Sequence, residues 1–132
     1  MSTKKDKFSI KDKFFMDLAL DLARSREGLT GTNPSVGCVI VKHDKIISVG
    51  QTSLKGRPHA EVNAINNSVE DLNDATMYVT LEPCSHHGLT PPCTNSIIRS
   101  KLKEVIYSVI DIDHRVKGKT YKILKSKKIK VR

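Results

Sequence analysis

Thr76-Met77-Tyr78-Val79-Thr80-Leu81-Glu82-Pro83-Cys84 reads as a short strand that hands a proline and a cysteine to a loop. Residues 76–81 carry β-branched and aromatic side chains, whereas Pro83 has no N–H to give to a sheet ladder. Upstream, Pro58-His59-Ala60-Glu61 opens a segment with Val62, Ile65 and Val69 at helical spacing. That pattern predicts a helix over 60–69, with Pro58 suited to its start and His59 and Glu61 in its first turn. Downstream, Pro91-Pro92-Cys93 precedes a helix expected over 93–100, with Ile97 and Ile98 facing inward. One strand end and two helix starts can thus carry Cys84, His59 and Cys93 to a common point.

Those residue types point to a metal. Zinc takes imidazole and thiolate ligands, and a catalytic site uses three protein ligands and leaves the fourth tetrahedral position to water. His59, Cys84 and Cys93 supply three. The positive ends of two helices, together with the metal, favour the thiolate forms that bind it. Water on such an ion drops from a pKa of about 15.7 toward ~7, which makes a nucleophile available at neutral pH. Glu61, two residues beyond a ligand and not itself one, can take a proton from that water and return it to a departing amine. The pattern His-x-Glu followed by Pro-Cys and a second cysteine is that of zinc-dependent hydrolytic deaminases, though here eight residues separate the cysteines where the usual spacing is two.

The rest of the chain sets this constellation in an α/β fold. Phe14, Phe15, Leu18, Ala19, Leu22 and Ala23 form an apolar stripe on a helix expected over 9–26, stopped by Gly28 and Gly31. Residues 36–41 and 45–49 read as strands of a hairpin around His43-Asp44. A strand over 105–110, a lysine-rich helix over 118–127 and a short strand over 129–131 follow. Strands alternating with helices at this spacing imply a mixed sheet of about five strands, helices on both faces and parallel later strands. Cys38 lies inside the apolar run Val36-Gly37-Cys38-Val39-Ile40-Val41 and reads as a buried thiol acting as a small hydrophobe.

Composition bounds the alternatives. The 132 residues are 38% hydrophobic and 28% charged, which fits one globular domain, and no apolar run approaches the ~20 residues of a membrane span. Residues 1–13 lack the apolar core of a secretory signal, so a cytoplasmic location is expected. Three cysteines make an odd count, which favours ligand roles over a disulfide framework. The net charge of +9 comes largely from lysine, and eight of the last sixteen residues are Lys or Arg. Such an excess fits nucleic acid, a phosphorylated small molecule or a solvated surface, and charge alone does not separate them.

Four stretches carry a closer resemblance: Thr32-Asn33-Pro34-Ser35-Val36-Gly37-Cys38-Val39-Ile40-Val41, Gly56-Arg57-Pro58-His59-Ala60-Glu61-Val62, Thr80-Leu81-Glu82-Pro83-Cys84-Ser85-His86-His87-Gly88 and Thr90-Pro91-Pro92-Cys93. Together with Asp111-Ile112-Asp113, they resemble the deaminase domain of the riboflavin-biosynthesis deaminase/reductase family. The likeness runs over residues 11–131. It implies a three-layer α/β/α cytidine-deaminase-like fold, zinc on His59, Cys84 and Cys93, and Glu61 as proton donor. It implies conversion of 2,5-diamino-6-(5-phosphoribosylamino)pyrimidin-4-one to 5-amino-6-(5-phosphoribosylamino)uracil with release of ammonia. Asn33 and His86 would touch the pyrimidine, and Asp111 and Asp113 would lie at the pocket rim near the ribosyl phosphate. Asn33 also reads as a turn residue before Pro34, and His86 as a histidine that orients Cys84. Leu89 stands where many relatives carry a basic residue, leaving Lys55, Arg57 and Lys117 as cations for a phosphate. Gln51-Thr52 replace an aromatic-His pair common in the family. A homo-oligomer is implied, as is a reductase step supplied by a separate chain or a missing domain; Met1 and a completed last strand favour a self-contained domain over 1–132.

Two other functions fit the same residues at this point. A nucleoside, free-base or transfer-RNA deaminase would suit the basic tail, but the wide cysteine spacing and the 5% aromatic content speak against it. A zinc-bearing binding module would have a fourth protein ligand, such as His86 or His87, and no use for Glu61.

Overall fold

A computed structural model describes residues 8–85, 91–109 and 118–132. Helix α1 spans Ile10–Arg24, and Ser9 caps it reciprocally with Asp12. The Asp12 N–H donates to Ser9 Oγ at 3.1 Å and the Ser9 N–H to Asp12 Oδ2 at 2.9 Å. Two donors that a helix start leaves over are thereby satisfied. Phe15, Met16, Ala19 and Ala23 make its buried face, while Phe14, expected in that stripe, is exposed. The helix ends ahead of Gly28, where the Ser25 hydroxyl and the Arg26 N–H turn back onto the Leu22 and Ala23 carbonyls.

Strands β1 (Gly37–Lys42) and β2 (Lys45–Gln51) form the expected antiparallel hairpin. His43 and Asp44 at its turn have φ of 51° and 63°, the left-handed pair a tight two-residue hairpin requires. β3 (Thr76–Leu81) pairs antiparallel with the other side of β1, and β4 (Glu104–Val109) and β5 (Lys130–Val131) add in parallel. The sheet order is β2-β1-β3-β4-β5. Because side chains alternate along each strand, Val39, Val41, Tyr78 and Ile106 face α1, while Cys38, Ile40, Met77, Val79 and Val105 face the opposite layer. That layer holds α2 (Ala60–Asn67), α3 (Cys93–Ser100) and α4 (Lys119–Ser126), which contribute Ala60, Ala64, Ile97 and Leu124 to the core. The result is the three-layer α/β/α arrangement expected from the sequence. Cys38 is fully buried in it and behaves as a core residue.

The face that α2 buries differs from the one its apolar residues predict. The helix stops at Asn67, Val69 is fully exposed, and the buried positions are Ala60, Glu61 and Ala64. Close approach explains the difference. A Cβ placed on Gly50 would lie 2.3 Å from the Ala60 carbonyl oxygen and 2.5 Å from the Ala64 nitrogen, so α2 rests almost directly on β2 and only small side chains fit between them. Val62 and Ile65 are left half-buried on the flank.

In the basic tail, Thr120 and Leu124 are completely buried, whereas Lys122, Lys125, Lys127 and Lys128 are exposed. Arg132 is the exception to that outward display. Its guanidinium meets Asp12 Oδ2 at 2.9 Å and Glu104 Oε2 at 2.6 Å, tying the end of the last strand to α1 and β4. No helix among the described residues is long and apolar enough to cross a membrane.

Candidate active site

The C-terminal end of β3 and the N-terminal ends of α2 and α3 meet at one place. His59 is the N-cap of α2, Cys93 is the first residue of α3, and Cys84 lies in the loop after β3. Their donor atoms all lie within 4.8 Å of one another. His59 turns Nδ1 toward both sulfurs, at 3.4 Å from Cys93 Sγ and 3.8 Å from Cys84 Sγ. Tetrahedral zinc with ordinary bond lengths sets nitrogen and sulfur about 3.6 Å apart, so the two distances bracket what that ion needs. One imidazole and two sulfurs, partly buried and preassembled, fit zinc.

Within the cluster each group bears on the protonation of its neighbours. The Cys93 side chain, the His59 ring and the Cys93 backbone N–H all bond Cys84, and against the cost of burial they lower its thiol to about 4. Cys93 is pushed the other way, first by its bond to Cys84, then by burial and by the charges of Glu61 and Cys84. His59 is raised by its bond to Cys84, which outweighs burial; Glu61 raises it further and Arg57 opposes. Glu61, 3% exposed in the first turn of α2, is raised to about 7, chiefly by burial and next by the charge of Cys84; its own backbone N–H, His59 and Cys93 oppose. A buried carboxyl poised near neutrality can both accept and return a proton.

The cysteine loop is held by residues whose importance the sequence did not announce. Glu82 is 2% exposed, and its carboxylate accepts from the Gly118 N–H at 3.1 Å and the Thr120 N–H at 3.2 Å. It thus caps α4, whose own N-cap Gly118 has no side chain to offer. The Thr120 hydroxyl donates to the Pro83 carbonyl at 2.6 Å, and the Thr94 N–H to the Cys84 carbonyl at 3.2 Å. Asn63, one turn past His59, donates to the Gln51 carbonyl at 2.7 Å and the Ser53 hydroxyl at 2.9 Å. The available signals were a carboxylate just before Pro83-Cys84, a helix start with no capping side chain, and a polar residue on the sheet side of α2.

The remaining expected site residues fall differently. The Asn33 amide donates to the Gly56 carbonyl at 2.9 Å, which sets Asn33 beside the segment leading to His59. Its backbone N–H bonds the Thr30 carbonyl, so the turn role before Pro34 is present as well. Thr52 is buried, accepting from the Val36 N–H and donating to the Pro34 carbonyl, while Gln51 turns to the end of α1 and bonds the Leu22 carbonyl. Both serve as braces. His86, Leu89, Asp111, Asp113 and Lys117 lie outside the described residues.

A three-donor metal cradle with a buried carboxyl beside it, at the C-terminal end of the central strand of a mixed five-stranded sheet, is the equipment of a zinc-dependent hydrolytic deaminase. Residues 9–109 match the family described as cytidine and deoxycytidylate deaminase zinc-binding region, and the chain belongs to that family. Within it, the chain is similar to the diaminohydroxyphosphoribosylamino-pyrimidine deaminase of Buchnera aphidicola (subspecies Schizaphis graminum), at 45% identity over 123 residues, covering 93% of this chain and 84% of that protein. It is also 48% identical over 120 residues to the riboflavin biosynthesis protein RibD of Aquifex aeolicus, covering 91% of this chain but 34% of that one. RibD from Acinetobacter baumannii superposes with a TM-score of 0.84 at 44% identity, over 92% of this chain and 34% of that protein. The chain therefore spans about a third of the RibD proteins and most of the Buchnera deaminase. Its likeness to the Buchnera protein places it in the riboflavin-pathway deaminase group of that family.

Proposed function

We propose that this chain hydrolyses 2,5-diamino-6-(5-phosphoribosylamino)pyrimidin-4-one to 5-amino-6-(5-phosphoribosylamino)uracil and ammonia. The observation that carries the reaction is the buried Glu61 two residues from His59, beside three metal donors within 4.8 Å of one another. The substrate class rests on the likeness to the Buchnera deaminase, whose name states that compound.

His59, Cys84 and Cys93 would hold the zinc. When bound, zinc supplies a water acidic enough to act as nucleophile at neutral pH. Glu61 takes the proton that the water gives up as its oxygen bonds the ring carbon. It delivers that proton to the ring nitrogen, takes the second proton from the hydroxyl now on the ring carbon and delivers it to the exocyclic amine; the C–N bond breaks as the C=O bond forms, and the amine leaves as ammonia with one water consumed overall. By the family likeness, Asn33 and His86 would touch the pyrimidine, and Asp111 and Asp113 would serve the end of the substrate that carries the ribosyl phosphate. Under this proposal residues 1–132 act as a single cytoplasmic deaminase domain in a homo-oligomer, with the following reduction carried by a reductase domain or a separate chain.

Ammonia release from the phosphoribosyl diaminopyrimidine, cytidine and guanine, measured side by side, tests the proposal. The first compound alone should react. Glu61→Gln should lower kcat by about 10²–10⁴-fold with one zinc per chain retained. A zinc-loaded chain that releases no ammonia from the phosphoribosyl compound would rule the proposal out.

A further inference from the structure

The segment just before His59 combines a rigid backbone with an unused cation. The Ser53 N–H bonds the Pro58 carbonyl at 3.1 Å, the Lys55 N–H bonds the Leu29 carbonyl at 3.1 Å, and the Asn33 amide bonds the Gly56 carbonyl at 2.9 Å. Gly56 has φ of +99°, and a Cβ there would stand 2.6 Å from the Asn33 amide nitrogen. The main chain around Arg57 is thus locked from two sides.

Among the described residues, by contrast, nothing pairs with the Arg57 side chain. Its Nε is buried without a hydrogen-bond partner. Among the described residues, one other buried side-chain nitrogen or oxygen lacks a partner, the Ser85 hydroxyl. The two flank the metal donors, Arg57 two residues before His59 and Ser85 one after Cys84. Buried polar groups in folded proteins are almost always satisfied, so an unmet one two residues from a metal donor points to a partner that binds there.

We propose that the Arg57 guanidinium meets the phosphate of the substrate and makes the enzyme select phosphorylated over unphosphorylated ribosyl pyrimidines. This rests on the proposed substrate and adds the residue that grips its anionic end. A guanidinium is planar, permanently charged and presents paired N–H donors that match phosphate oxygens, and one held on a rigid backbone loses little freedom when it binds. Lys55 is a poorer candidate, since its residue is exposed to solvent. Its charge can remain hydrated without a ligand.

The test compares the zinc-loaded full chain with Arg57→Gln and Arg57→Lys, using the phosphorylated substrate and its dephosphorylated riboside. Arg57→Gln should reduce the ratio of kcat/KM for phosphorylated over unphosphorylated substrate about 10–100-fold, mostly through KM, and Arg57→Lys should restore part of it. An unchanged ratio would overturn the proposal. Ribose 5-phosphate, titrated calorimetrically into the same proteins, reads the contact without turnover: it should bind the parent chain and bind Arg57→Gln at least ~10-fold more weakly. Equal binding to both counts against Arg57 even if deamination is seen. Absence of ammonia from the parent chain would instead defeat the proposed substrate, and the titration still decides the Arg57 contact.

Discussion

Cys93 donates its backbone N–H to the sulfur of Cys84 at 3.1 Å, so the first amide of α3 rests on the thiolate that β3 delivers. The two cysteines form one unit although eight residues lie between them. The helix start that places Cys93 also stabilises charge on Cys84. Replacing either sulfur, by Cys84→Ser or Cys93→Ser, should therefore cost more than the ~10–100-fold in metal affinity typical of losing an outer hydrogen-bond partner. Zinc per chain, measured by elemental analysis after gel filtration, should fall from one to near zero. Cys38→Ala supplies the contrast, because Cys38 is a core residue and that variant should keep its zinc.

Gly50 controls how closely α2, with His59 and Glu61, lies on the sheet. Gly50→Ala forces a Cβ to within 2.3 Å of the Ala60 carbonyl oxygen, and rigid backbone must yield. The expected cost is about 1–3 kcal/mol of stability. Since α2 must lift to make room, zinc affinity should fall in the same variant. Urea denaturation with and without zinc checks both, and a loss of stability with full zinc affinity would show that the helix start does not move with the helix.

The same contact shows what was legible in the sequence. The elements were readable because Val39 to Val41, Thr76 to Leu81 and the Phe15-Ala19-Ala23 spacing carry local periodicity. That His59, Cys84 and Cys93 could meet was readable because imidazole and thiol groups are rare in this chain and these three sit at element ends. The buried face of α2 was not, because it is set by a glycine on another strand rather than by Val62 and Ile65 within the helix. Nor was the support of Glu82 by α4, a contact between residues 36 to 38 positions apart whose logic appears only when both ends are seen. The unused Nε of Arg57 is likewise a property of surroundings and leaves no trace in residue order.

Asp12 should make stability depend on pH. Burial alone would raise its carboxyl, but the Ser9 N–H, the Tyr78 hydroxyl and Arg132 outweigh burial and hold it below its usual range. Tyr78 donates to it at 2.6 Å. A carboxyl whose folded pKa lies below its unfolded value of about 3.9 stabilises fully above that value and loses the contribution as pH falls through the folded one. Asp12→Asn should therefore cost about 1.5–3 kcal/mol at pH 7. The gap to the parent chain should close as the pH falls toward ~2. Denaturation midpoints at pH 7, 5 and 3 follow this, and a gap that stays constant would mean that the charge of Asp12 contributes nothing.

Thr120 links the stability of α4 to the metal donors. Its hydroxyl donates to the Pro83 carbonyl at 2.6 Å, and its N–H donates to Glu82 Oε2 at 3.2 Å, so one residue grips the two residues that precede Cys84. Thr120→Val keeps the shape and the backbone bond but leaves the buried Pro83 carbonyl without that donor, at a cost of about 1–3 kcal/mol. Because Pro83 directly precedes Cys84, the loosened loop should also release zinc more readily, by about 10-fold in affinity. Ser126→Ala is the matched control: its hydroxyl also bonds a carbonyl, that of Ile123 at 2.6 Å, but at the exposed far end of α4. Competition with a chromogenic chelator should separate the two variants. Equal zinc release from both would show that α4 stabilises the fold without steadying the metal donors.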